Sequence, residues 1–155
     1  MPAASARGAR RIRTWSFLGV VLLIAALMLA SCPDLRDGTG GQLAKAEQDT
    51  ESAARSGALA LELWDERRAT AALTAVVLSD ARDEVLKAYR TTTQVALDDP
   101  ADLGRHQFLT RSMTEVIATL VTAVATVRGD VAGQPPATLR GTLLASADAL
   151  AGGYR

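Results

Sequence analysis

Apolar and small residues recur every three to four positions through Leu43, Ala46, Ala53, Gly57, Leu61 and Trp64. That period predicts an amphipathic helix with one face on a core. The polar stretch Asp65 to Thr70 interrupts the stripe, and Leu73, Val77, Ala81, Val85, Tyr89 and Ala96 resume it, with Thr70 placed to cap a new segment. No glycine or proline falls between 65 and 70. The pattern therefore favours one long helix with at most a kink, the alternative being two helices joined by a turn there.

The clearest boundary is Asp99-Pro100, where an aspartate at the cap and a proline at the first helical position suit the unpaired amides of a helix start. From Pro100 to about Val131 the chain repeats Leu109, Met113, Val116, Leu120, Val124, Val127 and Val131 at heptad-like spacing, which calls for a helical partner along its length. Gly133-Gln134-Pro135-Pro136 forces a loop. A last helix, about Ala137 to Ala151, presents Leu139, Leu143, Ala147 and Leu150 before Gly152-Gly153 end it. No stretch alternates like a strand. The expected fold is all-α, an antiparallel bundle of three or four helices over residues 42–151, preceded by an N-terminal signal helix.

That leading segment has three parts. Arg7, Arg10, Arg11 and Arg13 come first, then the charge-free apolar run Trp15 to Ala30, then small Ser31 before Cys32. A basic flank, a short apolar core and a small-residue exit make a secretory signal, and the run is shorter than the roughly 20 apolar residues of a spanning helix. Leu29-Ala30-Ser31-Cys32 resembles the lipobox of bacterial lipoprotein precursors. The resemblance implies that the Cys32 thiol is alkylated with diacylglycerol and that the leader, residues 1–31, is removed. The alternative is an uncleaved anchor with Cys32 packed as a small apolar side chain. Both place the rest of the chain on the extracytoplasmic side of the membrane, because the positive flank stays inside. Residues 32–41, with three glycines and few apolar side chains, are expected to form a flexible tether.

The chain carries 17 Lys and Arg against 17 Asp and Glu, but the four leader arginines leave the remainder at about −4. A weakly acidic domain is poorly suited to nucleic acid, where affinity comes from basic groups neutralising phosphates. Nearly half of the residues are apolar, yet only 4% are aromatic, so alanine, leucine and valine must fill the core. Cys32 is the only cysteine, which excludes an intramolecular disulfide.

The same scarcity limits chemistry. His106 is the only histidine and the one thiol is claimed by lipid, so zinc, haem and iron-sulfur binding lack their usual ligands, and neither metal nor cofactor is expected. His106 beside Arg105 reads as a solvated residue on a polar helix face. Asp80, Asp83 and Glu84 read as a solvated face with Asp83 paired to Lys87, and Asp98, Asp99 and Asp102 as capping groups. Glycine-rich phosphate loops, nucleophile elbows and EF-hand loops are absent, so the domain is expected not to be an enzyme.

One segment points to a ligand. Leu61-Glu62-Leu63-Trp64-Asp65-Glu66-Arg67 followed by Thr70 resembles the first helix of the nitrate- and nitrite-sensing domain found outside some bacterial receptors. That family holds an anion with arginines on inward helix faces, and the resemblance implies Arg67 as the ligand contact. It covers about ten residues of a domain longer than everything after Cys32. Two functions are therefore weighed: a lipid-anchored, non-catalytic module that contacts an envelope protein, and a small-anion sensor. An inward polar pocket would favour the sensor, and a dry core with an exposed apolar groove would favour the protein partner.

Overall fold

In the computed structural model, which describes residues 38–96 and 100–153, helix α1 spans Thr39–Asp65, α2 Ala71–Thr93, α3 Pro100–Arg128 and α4 Pro136–Ala151. These residues belong to one compact unit that begins at Gly38. The leader, Cys32, the first part of the tether and Asp98-Asp99 lie outside the described residues. The expected tether extended to Gly41, but Gly38 is the N-cap and the first turn of α1 already includes Thr39, Gly40 and Gly41.

The four helices form an all-α bundle in which α1 packs most extensively on α4 and α2, and α2 on α3. Ion pairs fix the directions. Arg55 reaches Asp148 and Glu62 reaches Arg140, so α1 and α4 run antiparallel. Glu47 reaches Arg105, and further along both helices Gly57 faces Leu120, so α1 and α3 run parallel across the bundle. Short connections between sequential helices make this up-down-up-down order the natural one.

The core lies where the periodicity places it on three helices. Leu43, Ala46, Ala53, Gly57 and Leu61 of α1, Leu109, Met113, Val116, Leu120, Val124 and Val127 of α3, and Leu139, Leu143, Ala147 and Leu150 of α4 are all buried, with Trp64 half-buried at the edge. Gly57 sits at the centre, facing Leu78, Leu120 and Leu143 from each of the other helices. The stretch Asp102–Arg128 of α3 is long and apolar enough to cross a membrane, but its apolar seam is the core of the bundle.

The continuous helix expected through 65–70 is corrected. Helix α1 ends at Asp65 and α2 begins at Ala71. Arg67 adopts φ 59°, its N–H donates to Trp64 O at 2.9 Å and the Arg68 N–H to Leu63 O at 2.7 Å. This is a Schellman closure, usually made at glycine, here made at arginine. The Thr70 hydroxyl then caps α2 by accepting from the Leu73 N–H at 3.3 Å.

Two further boundaries and one face shift. Helix α3 stops at Arg128 because Gly129, at φ 76°, supplies the same closure, with Asp130 N–H donating to Ala125 O at 2.9 Å. Val131 is consequently 50% exposed instead of continuing the seam. On α2 the core face is Thr74, Ala75, Leu78, Ala81, Val85, Ala88 and Thr92, while Leu73 and Ala96 are exposed and Val77 and Tyr89 half-buried. A row spaced by four advances about 40° at each step on a helix of 3.6 residues per turn. The row from Leu73 therefore crosses the core only at Ala81 and Val85.

Candidate interaction surface

The interior is mostly apolar. Among the described residues, the buried side chains with polar atoms are Thr50, Thr74, Thr92 and Ser112, and no charged side chain is buried. The Thr50 and Ser112 hydroxyls donate to carbonyls one turn back, Ala46 O at 2.7 Å and Phe108 O at 3.0 Å. Those of Thr74 and Thr92 have no partner.

Arg67 does not enter this interior. It lies in the α1–α2 turn with its side chain exposed, whereas the resemblance to the nitrate-sensing helix puts the arginine on an inward face. Its neighbour Arg68 pairs with Glu66 at 3.2 Å.

Two clefts mark the end of the bundle opposite Gly38. One, of about 340 Å³, lies between the first turns of α2 and the last of α3, with Ala71, Ala72, Ala75, Val76 and Val127 as apolar lining and Arg128 at the edge. Its alanines leave room where larger side chains would close the groove. Val76 is 55% exposed beside it. The second, of about 190 Å³, lies between α1 and α4, where Glu62 and Arg140 pair at 3.1 Å beside Asp65 and Glu66. Glu66 pairs outside the cleft with Arg68, and the Arg140 Nε is buried without a partner.

A polar cluster sits near the Gly38 end. Arg105 donates to Glu47 at 2.7 Å, tying α3 to α1, and both side chains are mostly covered. His106, expected on a solvated face, is half-buried instead, its Nε2 3.1 Å from Thr92 O, which accepts from the ring nitrogen. These contacts join α3 to α1 and α2, which gives the cluster a structural role. Arg105 and His106 stand four and three residues before Leu109, so they continue the face of the apolar seam toward the start of α3, and only their polar side chains hide this in the sequence.

The remaining carboxylates behave as surface groups. Asp83 takes Arg82 at 2.8 Å, not Lys87 as expected, and Asp80 and Glu84 are exposed. Among the described residues no cluster of His, Cys, Asp and Glu could hold a metal ion.

The chain matches no family model, no curated protein and no solved structure.

Proposed function

We propose that this chain is a lipid-anchored envelope protein whose helical bundle docks another protein and performs no chemistry. The anchor is Cys32, in the lipobox-like Leu29-Ala30-Ser31-Cys32 after the apolar run. Diacylglycerol carries two acyl chains, enough for stable attachment without a spanning helix. The extended chain from Cys32 to Gly38 reaches at most about 20 Å, so the start of α1 stays close to the membrane surface.

The observation that carries the docking reading is the α2–α3 groove lying over a core whose fully buried side chains carry no charge. An anion held between helices needs an inward cation to offset its desolvation. An exposed apolar cleft gains from being covered by another protein.

The test is a photo-crosslinking side chain at Val76 of the full-length chain in its native envelope. A discrete adduct at Val76, absent when the probe replaces Leu59 on α1, is expected. Equal labelling at both positions, or none at either, contradicts the docking reading. Anchoring is checked separately: Cys32→Ser is expected to leave the membrane fraction or accumulate with its leader, and unchanged processing and attachment contradict it.

A further inference from the structure

The four helices are not held alike. Among the described residues, the ion pairs between helices join α1 to α4, through Arg55–Asp148 and Glu62–Arg140, and α1 to α3, through Glu47–Arg105. None reaches α2, whose Arg82 pairs with its neighbour Asp83. Helix α2 lies diagonally across the bundle from α4, so its inner face rests on α1 and α3.

That face is also weak in itself. Leu78 and Val85 are the large apolar side chains that α2 buries, and its other buried positions are alanines and threonines, which remove less apolar surface from water. The hydroxyls of Thr74 and Thr92, near the two ends of the helix, are buried without a partner. Those of Thr50 on α1 and Ser112 on α3 are paired within their own helices. Each unpaired hydroxyl carries a desolvation penalty that disappears once water reaches it. Packing of α2 on α3 is already parted at one end by the cleft of about 340 Å³ beside Ala71 and Val127. At the other end, the His106 ring nitrogen holds Thr92 O at 3.1 Å.

We infer that α2 is a cover helix, which opens as a unit while α1, α3 and α4 stay assembled through their ion pairs and leucine contacts. Opening returns both threonine hydroxyls to water and uncovers the depression at Gly57, where Leu78 leaves and Leu120 and Leu143 remain. The two neighbouring helices need not part. At about 3.3 Å per residue, the melted chain between Asp65 and Pro100 reaches far beyond the roughly 35 Å length of α2. Contiguous elements of unequal stability open separately, and the least stable one is the movable part. The structure is the closed form, and the seam of α1 and α3 beneath α2 is accessible only in the open one.

The test is native-state hydrogen exchange of the full-length chain in detergent, read on the central amides of each helix, where end fraying does not contribute. Residues 78–85 of α2 are expected to exchange at least about a hundredfold faster than the central amides of α1 and α3, and with a smaller dependence on added denaturant. Ala147→Gly, a buried position on α4, should speed the central amides of α1 and α3 about tenfold through global unfolding and leave residues 78–85 unchanged. Exchange of residues 78–85 as slow as that of α1 and α3 in the wild type overturns the inference. So does equal acceleration of all helices in Ala147→Gly, which would mean that the bundle opens only as a whole.

Discussion

A β-carbon placed on Gly57 would lie 2.7 Å from Leu120 Cδ2. Both residues are buried at the level where all four helices meet, and the same point is 3.3 Å from Leu143 Cδ1. The absence of a side chain on α1 thus lets the leucines of α3 and α4 interdigitate. Gly57→Val is expected to lower stability by about 1–3 kcal/mol, the usual cost of overpacking, despite adding a residue with higher helix propensity than glycine. Denaturant unfolding measures it, and an unchanged midpoint would mean that the helices are spaced more widely than described.

The α3 seam is tested from its other side. Leu120→Asp puts an unpaired carboxylate at a fully buried position and is expected to unfold the bundle, since the cost of several kcal/mol is comparable with the stability of a small domain. Arg128→Ala, at an exposed position, should leave the melting temperature within a degree or two. Equal melting of both variants and wild type would refute the assigned packing face.

Thr74 and Thr92 are buried on the inner face of α2 with hydroxyls that find no partner. Replacing a buried unsatisfied hydroxyl with a methyl group removes a desolvation penalty of about 1–3 kcal/mol at nearly constant volume. Thr74→Val is therefore expected to raise the melting temperature, whereas most core substitutions lower it. A lower melting temperature would show that the hydroxyl is hydrogen-bonded in solution.

Much of this architecture is legible in the sequence, and the failures have identifiable causes. The apolar stripes of α1, α3 and α4 mark their core faces because those faces are wide and filled by leucine, valine and small residues. The α1–α2 turn is hidden because arginine takes the left-handed position at which glycine ordinarily announces a closure. Gly129 does announce the end of α3, but the valine at 131 prolongs the seam misleadingly in the sequence. The groove is invisible to periodicity, since it is made by alanines of α2 and valine and arginine of α3 that come together only through packing.

The closure at Arg67 yields a prediction that separates backbone from ligand. A non-glycine residue in the left-handed region is strained, so Arg67→Gly is expected to be neutral or to raise stability by up to about 1 kcal/mol. With its side chain exposed, Arg67 is also expected to give no nitrate-dependent rise in melting temperature. A saturable rise in the wild type that vanishes in Arg67→Gly would restore the anion-sensing reading.

The central claim, that the bundle works from a lipid anchor at the envelope surface, is tested most directly by the mass of the N-terminal peptide of the chain isolated from its native membranes. A peptide beginning at Cys32 and carrying diacylglycerol on the thiol is the predicted result. A peptide that still contains the Trp15 to Ala30 run, with Cys32 unmodified, would contradict it.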